Sequence, residues 1–271
     1  MKMDWSEILR EVAENVKNEV NKALGSKDAS EDLGIGAGGD TTKKIDYIAE
    51  KTVFDALNNL NVSCILISEE SGVKKIGDKP EEFLILDPLD GTVNALRGVK
   101  FYCCSLAVSK TWFLNGVYSG LIMNLVDGDV YYAEKGKGAY LNEEKIHTSN
   151  MENLKEALIG LDLCLLNNEE NIKRLVKLLV YAFHIRHFGA NALELCQIAS
   201  GVTDAFIDAR NRIRAVDIAA GQLIVKEAGG IIVSLNGEEL NMKVTPEERT
   251  SFIATANNQL CKEILKVFKT F

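Results

Sequence analysis

Carboxylates recur in this chain at the ends of short apolar or glycine-rich runs. Asp40, followed by Asp46, comes after "GIGAGG"; Glu69 and Glu70 follow "VSCILIS"; Asp87 and Asp90 follow "FLIL"; Asp217 opens "DIAAGQLIVKEAGG". Acids gathered at one place repel one another and raise each other's pKa values unless a cation neutralises them. Oxygen ligands with no His or Cys among them select Mg²⁺ or Mn²⁺ over zinc. Each acid also has a plain structural reading: Asp217 and Asp90 suit helix N-caps, Glu69 and Glu70 a solvated loop, and Asp46 an exposed helix face. Spacing alone does not show that they converge.

The elements that must position them are legible in outline. Phe83, Leu84, Ile85 and Leu86 read as a strand buried on both faces, which Pro88 is expected to end. Asp87 and Asp90 then fall just past its carboxyl end, the edge where open α/β sheets hold ligands. Gly91-Thr92 opens a short helix. An amphipathic helix is expected over residues 1–20, with Trp5, Leu9, Val12, Val16 and Val20 on one stripe. Residues 25–40 read as a mobile glycine-rich loop, 42–60 as a helix and 62–67 as a strand. Residues 102–140 alternate strands and turns, predicting an antiparallel meander. Past residue 147 the texture becomes alternating helices and short strands. The expected organisation is thus an α+β domain over 1–147 carrying most of the acids, and an α/β domain over 148–271.

The bulk properties narrow the function. A chain of 271 residues with net charge -8 is a poor match to a nucleic-acid surface. It contains no apolar run long enough to span a membrane, and its first residues lack a signal peptide's apolar centre, so the expected compartment is the cytoplasm. The six cysteines show neither C-x-x-C nor zinc-type spacing and read as buried thiols. His147, His184 and His187 have no paired spacing and read as structural, His187 being near Arg186 and a possible substrate. "GIGAGG" lacks the preceding strand that dinucleotide binding requires and reads instead as a lid. "DPLDGT" separates its acids by two residues where haloacid-dehalogenase phosphatases have one.

"ISEESG", "ILDPLDGTVNA" and "VDIAAGQLIVKEAGG", in this order, resemble the signature segments of the inositol monophosphatase family of Mg²⁺-dependent, lithium-sensitive phosphomonoesterases. "GGDTTKKID", "EKGKGAYLN" and "GANALELCQIASGVTDAFID" resemble its further segments, so the likeness spans nearly the whole chain. The resemblance implies a layered α-β-α-β-α sandwich, commonly a homodimer. It implies two or three Mg²⁺ ions, with Mn²⁺ as an alternative. The first would sit on Glu69, Asp87 and the Leu89 carbonyl, the second on Asp87, Asp90 and Asp217, and a weaker third on Glu69 and water. Asp40 with Thr92 would orient the attacking water, with Glu70 and Asp46 as supporting acids, and Gly91 and Thr92 would hold the phosphate. Gly189, Ala190 and Asp208 would contact the sugar or inositol.

Two departures bear on the substrate. Val216 stands where many members have Trp, and the segment "DARNRIRAVD" is longer and more basic than in inositol-only enzymes, resembling the archaeal branch that also accepts fructose 1,6-bisphosphate. A second phosphate needs cations away from the metals, and guanidinium matches phosphate geometry. Arg186, Arg210, Arg212 and Arg214 are the candidates. The activity implied is hydrolysis of fructose 1,6-bisphosphate and inositol 1-phosphate by in-line attack of metal-activated water. A 3'(2'),5'-bisphosphate nucleotidase of the same superfamily is the alternative, followed by a dehalogenase-type phosphatase and a non-catalytic phosphosugar-binding protein.

Overall fold

The computed structural model describes residues 4–164 and 166–269; residues 1–3 of the expected first helix lie outside them. Alternating side chains on the buried strands sort into separate apolar cores, and this alternation builds the layers. On strand Phe83–Asp90, Leu84 and Leu86 point into a core shared with helices Trp5–Leu24 and Lys44–Asn59. Phe83 and Ile85 point the other way, toward helices Asn191–Ala199 and Ala215–Glu227. A third core, built on Ile159, Leu161 and Ile207, is closed by helices Glu169–Tyr181 and Asn258–Lys269. The result is helices, an eight-stranded sheet, helices, a five-stranded sheet and helices, the expected five-layer sandwich. Each fully buried Leu or Ile in these layers contributes roughly 1.5–3 kcal/mol.

The large sheet runs from Glu144–Ile146 through Gly138–Leu141, Val130–Glu134, Val117–Asn124, Cys103–Ser109, Phe83–Asp90 and Cys64–Ser68 to Gly72–Ile76. From Cys103 to Ile146 it is the expected antiparallel meander. Its one described parallel pairing joins Cys64–Ser68 to Phe83–Asp90, with Ser68 opposite Leu86. Because both strands run the same way in that register, the next residues, Glu69 and Asp87, emerge side by side. The smaller sheet is ordered His184–Arg186, Leu158–Asp162, Ala205–Ile213, Thr250–Thr255, Ile231–Val233.

Helix Ala215–Glu227 is buried around most of its circumference, lying between the two sheets. Close approach is possible because small residues meet there: a Cβ on Gly120 would come 3.1 Å from the Ala220 Cα, and one on Gly221 would come 2.9 Å from the Leu195 Cβ. This packing fixes the helix's first turn, and with it Asp217, against the end of the large sheet.

Some local expectations change. The strand does not stop at Pro88 but runs on to Asp90, with a register shift between Asp87 and Asp90. The irregularity accommodates the residue that cannot donate to the ladder. Residues 25–40 are not wholly a loop either: Asp32–Ile35 pairs antiparallel with Thr41–Lys43 as a two-stranded hairpin. Cys164 departs from the expectation of buried thiols, being exposed on the turn after Leu158–Asp162, while the other five are buried.

Candidate metal centre

The parallel strand ends and the central helix bring Glu69, Asp87 and Asp217 together, so that one carboxylate oxygen from each lies within 4.8 Å of the others. Asp87 and Asp217 are buried, and Asp90 is buried beside them. Removal from water, reinforced by the neighbouring acids, lifts every carboxylate here for which a shift is resolved. Glu69 rises to about 8, with burial the main cause and the acids Asp217 and Glu70 adding to it against the opposing Arg214. Asp87 is pushed well above the ordinary range by burial and then by Glu69, Asp90 and Asp217. Asp90 rises to about 7 by burial, opposed by backbone N–H groups at the start of helix Asn191–Ala199. One of these is the Ala192 N–H, 2.7 Å from its Oδ2.

The guanidinium of Arg214 threads this acidic cluster. Its Nη1 lies 2.5 Å from Glu69 and 3.2 Å from Asp40, and its Nη2 lies 3.1 Å from Asp217. It thereby neutralises acids expected to hold metals, rather than projecting toward a distal phosphate. The donor set, several buried oxygen ligands without nitrogen or sulfur, fits hard divalent cations. Glu69, Asp87 and Asp217 are the acids that could share one such ion.

Beside this cluster lies a cavity of about 170 Å³ bordered by Asp40, Asp46, Glu69, Glu70, Asp87, Leu89 and Thr92. Thr92, expected to orient water together with Asp40, is tied to a different acid. Its hydroxyl donates 2.7 Å to Asp46 and lies 3.0 Å from the Leu89 carbonyl. Asp46 is fixed by accepting the Lys43 N–H at the start of helix Lys44–Asn59, and burial raises its pKa. Asp40 instead sits on the exposed hairpin, with its side chain 62% exposed. Glu70 accepts a hydrogen bond from Thr42, and burial lifts it to about 7.

The glycine run gains a physical role here. The hairpin tip docks through Ala37 N–H to the Glu70 carbonyl at 2.9 Å and Gly38 N–H to the Glu69 carbonyl at 2.7 Å. A Cβ on Gly36 would come 2.4 Å from Glu70, and one on Gly38 would come 2.7 Å from the Arg214 guanidinium. Gly91 is required for a different reason, having φ +93° where the strand turns into helix Thr92–Arg97; a Cβ there would also come 3.1 Å from the Ala190 Cβ. That approach sets Ala190 against Gly91.

The remaining arginines separate into two kinds. Arg210 is held by Asp208, with Nε 2.8 Å from Oδ2, and by Asp162 at 2.8 Å. Asp208 is fully buried. Arg212 is half-exposed, 4.0 Å from Asp40, and Arg186 is exposed on an edge strand with its guanidinium on the Ile185 carbonyl. Sequence reasoning missed Thr42, Asp162 and Glu194. Glu194 holds the Phe188 and Gly189 N–H groups, and burial lifts it to about 8. Asp162 ends strand Leu158–Asp162 but is followed by further apolar residues, so no local signal marked it.

A carboxylate whose pKa is higher folded than unfolded holds its proton preferentially in the native state, so stability falls as pH rises from the ordinary carboxylate range toward the folded value. With chelator present, the melting temperature is expected to fall between about pH 5 and about pH 8, and Mg²⁺ to restore more of it at the higher pH. Arg214→Gln should cost a further ~3–5 kcal/mol in chelator and regain most of it with Mg²⁺. Thermal melts that are flat with pH, or a variant that Mg²⁺ does not rescue, would contradict this electrostatic account.

The arrangement has relatives. The model of the inositol monophosphatase family matches residues 2–270. A fructose-1,6-bisphosphatase/inositol-1-monophosphatase of Methanothermobacter thermautotrophicus is 37% identical, covering 98% of this chain and 96% of its own. A bifunctional NADP phosphatase/NAD kinase of Methanococcus maripaludis is also 37% identical, but this chain spans only 49% of its length. A crystal structure described as an inositol monophosphatase-fructose 1,6-bisphosphatase superposes with TM-score 0.85 at 33% identity, covering 98% of this chain and 100% of that one. The acid-lined strand ends, the five-layer fold and these matches agree: the chain belongs to the inositol monophosphatase family.

Proposed function

We propose that this chain is a Mg²⁺-dependent phosphomonoesterase that hydrolyses fructose 1,6-bisphosphate and inositol 1-phosphate. The observation that carries the reading is the convergence of Glu69, Asp87 and Asp217 beside the hydrogen-bonded Thr92–Asp46 pair. Divalent ions, when bound, supply charge neutralisation for the phosphate and lower the pKa of water. The chain's own groups do the rest. Thr92 commits its proton to Asp46, leaving its oxygen lone pairs to accept a proton from a water and fix that water's direction. Asp46, with its raised pKa, is placed to take the proton through Thr92, and Glu70 with Thr42 forms a second such pair. The helix opening at Gly91 offers N–H groups without partners inside the helix to phosphate oxygens.

Substrate choice rests on the second cluster. Asp208, expected to bond sugar hydroxyls, is fully buried with both oxygens taken by Arg210, so its role is to hold that guanidinium; the exposed guanidinium of Arg212 beside the hairpin is the candidate for a distal phosphate, and Arg186 is exposed on the edge strand. The likeness to bifunctional NADP phosphatase/NAD kinases at equal identity favours one alternative substrate, the 2'-phosphate of NADP, also a phosphate monoester.

All six cysteines are free thiols, which fits a reducing compartment such as the cytoplasm. The expected homodimer has a candidate surface. Val176 and Val180 lie one helical turn apart on Glu169–Tyr181, with Phe183 just beyond, and they are 54%, 71% and 69% exposed.

Asp90→Asn should lower Mg²⁺-dependent phosphate release by roughly a hundredfold or more while leaving the circular dichroism unchanged; near-normal turnover by the folded variant would sink the metal assignment. Arg212→Ala should raise KM for fructose 1,6-bisphosphate more than for inositol 1-phosphate, and equal effects would remove it from distal-phosphate binding. In the same assay, preferential release from NADP or adenosine 3',5'-bisphosphate would overturn the substrate assignment but keep the chemistry. For the oligomer, sedimentation should find a dimer that the double change Val180→Glu and Phe183→Glu converts to monomers. A monomeric parent protein, or a variant still dimeric, would exclude that surface.

A further inference from the structure

A second group of metal-ligating side chains lies outside the carboxylate centre. Strand Leu158–Asp162 runs parallel to His184–Arg186, with Gly160 opposite Arg186, so their carboxyl ends lie side by side. The residues that follow bring together Asp162, Cys164 and His187, whose ligand atoms all lie within 4.8 Å of one another. Cys164 Sγ is 3.7 Å from His187 Nε2, and that nitrogen is 3.8 Å from Asp162 Oδ1. A tetrahedral zinc with sulfur at about 2.3 Å and nitrogen and oxygen at about 2.0–2.1 Å holds its ligand atoms roughly 3.3–3.6 Å apart. These two spacings exceed the ideal by up to about half an ångström, and the third pair lies within 4.8 Å, so side-chain rotation is needed to close the site.

The donor chemistry differs from that of the catalytic carboxylates. Thiolate and imidazole select a softer ion, so Mg²⁺ belongs to one group and Zn²⁺ to the other. Asp162 is buried; its Oδ2 is held by Arg210 at 2.8 Å, while Oδ1 accepts the Cys164 N–H at 2.9 Å and faces the cysteine and histidine with a lone pair to spare. Cys164 is exposed, so an ion can reach it from solvent. The charges around the site favour a cation: Asp162 and Asp208 together outnumber the single Arg210 between them.

We propose that Asp162, Cys164 and His187 form a second, soft-metal site that binds Zn²⁺ independently of the carboxylate centre. Binding releases the Cys164 thiol proton to solvent, uses His187 in its neutral form, and leaves a fourth position for water or another ligand. Sharing Asp162 with Arg210 places the ion next to the cluster that presents Asp208. The proposal does not depend on the phosphatase reading, because it can be tested without turnover.

Cobalt(II) makes the site visible. The full chain, under anaerobic conditions and with saturating Mg²⁺ to keep the carboxylates filled, is titrated with Co²⁺ and followed in the near-ultraviolet and visible. The expected result is a sulfur-to-cobalt charge-transfer band that saturates at one ion per chain and is displaced by Zn²⁺. It should be absent in Cys164→Ser, and His187→Ala should weaken Co²⁺ binding roughly tenfold or more. Both changes are at exposed positions, and circular dichroism checks that the fold is kept. No band at any Co²⁺ concentration, a band that persists in Cys164→Ser, or one indifferent to His187→Ala would overturn the assignment.

Discussion

Mutual repulsion among buried carboxylates is the constraint around which this fold is organised. Side by side at the ends of two parallel strands, Glu69 and Asp87 would separate or stay protonated in water-free surroundings, and Asp217 and Asp90 add to the strain. Such an arrangement persists only where the backbone leaves no freedom to relax. Here the strands are clamped on both faces by apolar layers, and helix Ala215–Glu227 is locked by the Gly120–Ala220 and Gly221–Leu195 contacts. Hydrophobic burial remote from the site therefore holds charges where electrostatics alone would not.

The chain answers the repulsion with Arg214, which lies among Glu69, Asp40 and Asp217. A single guanidinium does not bring the acids back to ordinary pKa values, and a residual deficit of positive charge remains for a cation to fill. The same guanidinium ties the glycine hairpin to the site, since Gly38 leaves just enough space for it. Cation, hairpin and strand ends are thus coupled, and a change at one is transmitted to the others through contacts of a few ångströms.

Much of this was legible in the sequence because acids that end apolar runs are a local feature. The layered fold and the acids that converge follow from such runs together with family resemblance. What could not be read was non-local. The register that sets Ser68 opposite Leu86, and so Glu69 beside Asp87, is fixed by pairing across an intervening hairpin strand. The Thr92–Asp46 bond joins residues 46 apart, made where a helix start buries Asp46 beside the strand end. Arg210 and Arg214 read as free cations, yet their partners Asp162 and Glu69 are distant in sequence. Asp162 itself was hidden inside the apolar stretch "LIGLDLCLL", and the same apolar company made Cys164 read as buried.

On this view the carboxylates hold protons or a guanidinium only until divalent cations replace them. Isothermal titration of Mn²⁺ and of Mg²⁺ into chelator-stripped protein near pH 7, in two buffers of different ionisation enthalpy, tests it directly. At least two ions per chain should bind with net release of protons, because burial holds Glu69 at about 8 and Glu70 and Asp90 at about 7 without metal. Binding without proton release, or no binding at millimolar metal, would contradict it.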